Sequence, residues 1–143
     1  MYYSYLGISK PTLYVYLEHL ETAGLVAGLK PEGAGATLTR RHGKLLLDNT
    51  NLLFAIGQGL SLADPRGTIR ETFFASQLRS AGHDVRAARR GDFLVDGRFR
   101  FEVGGRRKTG RQLAGADAAF VVRDDIESGS GNVLPLWLFG FLY

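Results

Sequence analysis

The residues best suited to chemistry lie in one short stretch, residues 91–108 (GDFLVDGRFRFEVGGRRK). Side chains of an extended strand alternate between its two faces. Phe93, Val95, Phe99, Phe101 and Val103 all occupy odd positions, while Asp92, Arg98, Arg100 and Glu102 occupy even ones, with Leu94 as the apolar exception. The pattern predicts a hairpin, and its loop length decides which residues face each other. A two-residue loop at Asp96 and Gly97 would set Asp92 opposite Phe101 and mix the faces. A three-residue loop, 96–98, sets Asp92 opposite Glu102 and Phe93 opposite Phe101. Register follows the buried pattern, so the longer loop is expected. Two facing carboxylates repel unless a cation lies between them. A divalent metal such as magnesium is one answer, because it takes carboxylate oxygens and keeps several waters. Arg100, on the same face, is the other, through ordinary cross-strand pairing.

The same region is strongly basic. Residues 86–111 hold nine arginines and lysines against Asp92, Asp96 and Glu102, a local charge of +6 in a chain whose total is +4. Fourteen of the 18 basic residues are arginine, whose planar fork suits bidentate contact with phosphate. Arg100, Arg106, Arg107 and Lys108 are therefore candidate contacts to nucleic acid, with a plain solvated face as the alternative.

These side chains need a scaffold, and 143 residues suffice for an unstapled core. Cysteine is absent, which excludes disulfides and thiol chemistry. No export signal opens the chain, and the apolar run at residues 133–143 is too short to span a bilayer. A soluble cytoplasmic protein without a membrane partner is expected. Near the start, Ser9 reads as an N-cap and Pro11 as a first-turn residue, with Leu13, Leu17 and Leu20 at helical spacing and Gly24 as the stop. Residues 2–6 read as the end of a preceding helix. A short helix, a glycine turn and a second helix make a helix-turn-helix, so Lys10, Thr12 and Tyr14 become candidate DNA contacts. Residues 31–43 read as a wing or a linker.

From Lys44 onward the pattern changes. A short buried strand is expected at 45–47, helices at 51–60 and 68–81, strands at 83–89, 92–95 and 99–103, a short helix at 112–116 and a strand at 119–123. That order implies a mixed sheet with helices packed on it. Thr68 and Glu71 have capping-box spacing, which is the structural reading of Glu71. Asp48, Asn49 and Thr50 read as a strand exit with a helix cap, and the three histidines lack metal-ligand spacing. The aromatic ending around Trp137 reads as a core strand or an internal interface.

Several blocks together resemble a known family: residues 6–14 (LGISKPTLY), 47–53 (LDNTNLL), 67–74 (GTIRETFF), 91–95 (GDFLV) and 135–143 (PLWLFGFLY). They resemble the C-terminal region of prokaryotic AAA-type ATPases, a winged helix followed by a restriction-endonuclease-like domain of unknown function. The resemblance implies an α/β fold, with a partial winged helix over residues 1–43 and an endonuclease-like mixed sheet flanked by helices over 44–143. It also implies an ATP-binding module upstream. The only Gly-Lys pair here, Gly43-Lys44, lacks the other residues of a phosphate-binding loop. Met1 therefore reads as an internal start or a truncation, and ATP as a ligand of a longer parent alone.

Endonuclease-like folds use an acid on the first helix, an Asp on one strand and Glu-x-Lys on the next. On this resemblance Glu71, Asp92 and Glu102 are the candidate catalytic acids, and Asp92 and Glu102 the magnesium ligands. The lysine position falls at Gly104. Lys108 could reach in from the following loop, whereas Arg106 is a poor proton-transfer group because its pKa is too high. With Gly104 in that place, the expected function is a non-catalytic module that binds DNA or a partner. A metal-dependent nuclease is the alternative, and a structural domain docking onto its own ATPase or self-associating is the third reading.

Overall fold

The computed structural model describes residues 7–33, 42–57 and 64–142. Helix α1 (Lys10–Thr22) starts as its sequence dictates: Ser9 is extended, its hydroxyl accepts the Thr12 N–H at 3.3 Å, and Pro11 sits in the first turn. It ends at Gly24, whose φ of +68° suits glycine. No residue of α1 is fully buried, and Val15, Tyr16 and Leu20 are exposed. Strands β1 (Val26–Leu29) and β2 (Lys44–Leu47) follow as an antiparallel pair. The expected division at 43/44 thus falls between two strands of one small sheet. The expected helix end at 2–6 and most of the 31–43 wing lie outside the described residues.

Helix α2 (Thr50–Gly57) is capped by Asn49, whose side-chain Oδ1 accepts the Leu52 N–H at 3.0 Å. Helix α3 (Arg66–Ser80) begins two residues earlier than the Thr68 start read from the sequence, with no side-chain cap. A five-stranded sheet follows, made of β3 (Val85–Ala87), β4 (Phe93–Val95), β5 (Phe99–Gly104), β6 (Ala119–Arg123) and β7 (Val133–Pro135), in that order. The first three strands run antiparallel, and β5, β6 and β7 run parallel. The fold is mixed α/β, as expected. A 3-10 turn at Arg111–Leu113 replaces the short helix expected at 112–116, and a second at Leu136–Phe141 follows β7. The aromatic ending divides between them: Leu136 and Phe139 enter the core while Trp137 and Phe141 stay exposed.

The odd-numbered side chains of β4 and β5 face the core, as alternation requires. Phe93, Val95, Phe101 and Val103 join Phe74 and Leu78 of α3, and Leu29 and Leu46 of the small sheet belong to the same cluster. Phe74 is fully buried, with ring centroids 5.1, 5.0 and 4.7 Å from Phe93, Phe101 and Phe139. Burying such a ring stabilises by roughly 2–3 kcal/mol. Pro31 also bridges Ala87, joining the small sheet to the edge of the large one. The opposite face of the sheet carries Leu94, Glu102 and Val121, all buried.

Candidate functional site

The hairpin adopts the register expected from its alternation. Phe93 pairs with Phe101 and Val95 with Phe99, leaving 96–98 as a three-residue loop. Asp96 and Gly97 hold positive φ, 52° and 68°, which this tight connection demands. Asp92 precedes β4 and is anchored across the hairpin, its Oδ2 accepting the Val103 N–H at 2.8 Å. Glu102 projects from the middle of β5 with its side chain only 5% exposed.

Lys108 joins the two carboxylates. Its Nζ lies 3.2 Å from Glu102 Oε1 and 3.7 Å from Asp92 Oδ2. A turn brings it there, closed by the Lys108 N–H donating to the Gly105 carbonyl at 2.9 Å. Arg123 Nε donates to the Lys108 carbonyl at 2.8 Å and holds the turn from β6. The stem of Lys108 passes over Gly104. A Cβ at position 104 would lie 2.6 Å from Lys108 Cδ and 2.9 Å from its Cγ, closer than such atoms approach. The glycine in the expected lysine position is therefore the gap through which another lysine arrives.

A second lysine approaches from the other side. Lys44, the first residue of β2, donates to Glu71 Oε2 at 2.7 Å. It stands 3.9 Å from Asp92 Oδ1 and 4.6 Å above the Phe93 ring, a cation–π contact. Glu71 thus makes no capping box. Because α3 starts at Arg66, Glu71 lies beyond the first helical positions, and its carboxylate turns to Lys44. The structure brings together Glu71, Asp92 and Glu102 through these two lysines. Lys44 is not among the site residues expected from the sequence. Its signal was compositional: the chain has four lysines against fourteen arginines, and two of the four converge here.

Arg100 lies elsewhere. Both of its terminal nitrogens are taken by Glu32, one at 2.8 Å, so Arg100 is not the cation between Asp92 and Glu102. The guanidinium, helped by the Arg89 N–H, holds the Glu32 carboxyl at about 2, far below its ordinary 4.5. Lys10, Thr12 and Tyr14 occupy the first turns of α1, with Lys10 above the Tyr14 ring and Thr12 bonded to Ser9. Among the described residues no contact links them to the carboxylates. Arg106 and Arg107 are exposed on the turn after β5 and border a cleft of about 410 Å³ with Lys108, Arg66 and Arg70.

Asp92 and Glu102 offer two carboxylates of the kind a hard divalent cation takes, with the Lys108 ammonium standing between them. Glu102 Oε2 is buried without a hydrogen-bond partner, a costly state for a carboxylate oxygen that a cation relieves. Gly110, at a φ of +71°, packs close beside that atom: a Cβ there would lie 3.9 Å from Oε2 and collide with Val121 Cγ2. Among the described residues no three Asp, Glu or His side chains form a complete protein cage for a metal. Magnesium does not require one, since it commonly uses one or two carboxylates and takes its other oxygens from water and substrate phosphate. Among the described residues, too, no helix is long and apolar enough to cross a membrane. Comparison of the chain with family models, with curated proteins and with solved structures gave no match.

Proposed function

We propose that the five-stranded domain hydrolyses phosphodiester bonds of DNA, using a divalent cation held by Asp92 and Glu102. One observation carries this reading: the Lys108 ammonium stands 3.2 Å from Glu102 and 3.7 Å from Asp92, restoring the lysine that Gly104 took from the strand. That contact favours a nuclease over a non-catalytic module. A phosphodiester needs its negative charge neutralised, a water positioned in line and a proton accepted. When bound, the cation supplies Lewis-acid stabilisation of the phosphoryl oxygens. Lys108 places a positive charge where negative charge develops on the phosphate. Asp92 is held in place by the Val103 N–H, and Glu71 is held by Lys44. Water oxygen bonds to phosphorus, one ester P–O bond breaks, and the water proton balances the departing alkoxide.

The test is cleavage of end-labelled DNA by the full chain with and without magnesium. Cleavage that needs magnesium and is lost in Asp92→Asn and in Lys108→Ala supports the proposal. Cleavage unchanged in Asp92→Asn would show a contaminating nuclease and overturn it.

A second reading is favoured by the arginine-lined cleft beside Lys108. Here the chain grips phosphates without cutting, as a DNA- or partner-binding module serving an AAA-type ATPase. Binding that weakens steeply with salt, with no magnesium-dependent cleavage, selects this reading.

A further inference from the structure

We infer that the cleft between the start of α3 and the turn after β5 seats a second phosphate of the nucleic-acid substrate, beside the one presented to Asp92, Glu102 and Lys108. The inference deepens the proposed nuclease site and rests on that reading. The cleft is open to solvent and has about 410 Å³, room for a phosphate with its sugar. Five cationic side chains line it, Arg66, Arg70, Arg106, Arg107 and Lys108, against the carboxylates of Asp64 and Asp125.

Those two carboxylates are already engaged by the arginines nearest them. Asp64 takes Arg66 Nε at 2.7 Å and Nη2 at 3.1 Å, and Asp125 takes Arg70 Nη2 at 3.4 Å. Arg70 Nε donates in addition to Asp124 at 2.9 Å. Arg106 and Arg107 have no carboxylate partner among the described residues. Two unpaired guanidinium groups on the wall of one cleft form an anion site, and their forked donors match phosphate. At the floor, the Arg66 N–H at the start of helix α3 is already accepted by Asp64 Oδ1 at 3.3 Å, so the anion site rests on the Arg106 and Arg107 side chains. Gly67 keeps that end open, since a Cβ there would meet nothing within 4 Å.

Continuity with the carboxylate site fixes what the phosphate belongs to. Lys108 borders the cleft and also touches Asp92 and Glu102. Its neighbours Arg106 and Arg107 therefore hold a phosphate one step along the same strand. That phosphate is either an internal one of the backbone or a terminal 5′-phosphate.

Fluorescence anisotropy with a labelled 12-nucleotide single strand tests this, in EDTA so that no cleavage intervenes. The strand is prepared with a 5′-phosphate and with a 5′-hydroxyl. Arg106→Ala/Arg107→Ala should weaken binding about tenfold or more at low salt. Each lost phosphate contact should also lower the logarithmic salt slope by about 0.7. Arg98→Ala/Arg111→Ala removes the same charge away from the cleft and should weaken binding less than threefold. A preference for the 5′-phosphate strand that disappears in the cleft variant identifies a terminal phosphate. Equal binding of both strands, lost equally, identifies an internal one. Equal losses in the cleft and control variants, or none in either, overturn the inference. Circular dichroism melts of both variants establish that the exposed substitutions leave the fold intact. Because binding is read without metal, a chain that binds through the cleft but never cleaves refutes hydrolysis alone. A chain that cleaves but ignores the cleft substitutions refutes the cleft alone.

Discussion

The side chain of Lys108 lies over the bare Cα of Gly104, with its Nζ 3.2 Å from Glu102 Oε1. A side chain at 104 and the observed path of Lys108 exclude each other. Position 104 is bare where Lys108 crosses it, and the ammonium that reaches the carboxylates comes from position 108.

This relationship yields an exchange experiment. Lys108→Ala should lower magnesium-dependent DNA cleavage by about 10²–10³-fold, the usual loss for one preorganised donor. Adding Gly104→Lys to that variant should recover at least about tenfold of the loss, because residue 104 shares a face of β5 with Glu102. Gly104→Ala alone should impair cleavage while leaving the melting temperature nearly unchanged, since only a flexible side chain must move. Single-turnover rates on one labelled duplex decide all three.

Lys44 ties the small sheet to the same site, and its pair with Glu71 is partly buried, with side chains 24% and 26% exposed. Urea unfolding of Lys44→Met, Glu71→Gln and the double variant should give a coupling energy of about 1 kcal/mol. A coupling near zero would mean that the 2.7 Å contact adds nothing to stability.

The orphan oxygen of Glu102 predicts a stabilising effect of metal. At ten times its dissociation constant, a cation that binds only the folded chain adds about 1.4 kcal/mol. Magnesium should therefore raise the melting temperature of the wild-type chain by a few degrees and leave Asp92→Asn/Glu102→Gln unmoved. The same double variant should melt below wild type in EDTA, because it leaves the Lys108 ammonium without its two carboxylate partners. Differential scanning calorimetry reads both effects.

Glu32 and Arg100 govern a pH dependence unrelated to the site. The folded carboxyl titrates at about 2 and the unfolded one near 4.5. Its folded-state pKa is depressed, so its contribution is complete above pH 4.5 and is lost as pH falls toward 2. Glu32→Gln should cost roughly 1–3 kcal/mol at neutral pH, and its deficit should close through that window. Unfolding curves of both proteins from pH 7 to pH 2.5 test it; a deficit that stays constant would falsify this account.

Much of the scaffold was legible in the chain because its causes are local. Ser9, Pro11 and Gly24 bound α1 through capping and backbone preference alone. Alternation in 91–103 determined the hairpin register, the three-residue loop and the placing of Asp92 against Glu102, since a one-residue slip would turn five apolar side chains to the wrong face. The family resemblance pointed to Glu71 as a helix acid, but its partner could not be read from the sequence. Capping-box spacing pointed to a bond with its own helix end, and the earlier start of α3 removed that option.

Only tertiary structure decided the cations. Lys44 is 27 residues from Glu71 and reaches it because β1 and β2 pack their leucines into the same core as α3. Glu32 and Arg100, 68 residues apart, meet because the chain after β1 bridges the edge of the large sheet. Lys108 is near Glu102 in sequence, yet its approach depends on a turn held by Arg123 of β6. Periodicity sets which face of a strand a residue occupies. The packing of distant elements sets which charge stands opposite it, because a long flexible side chain goes where burial and a partner carboxylate together lower its free energy.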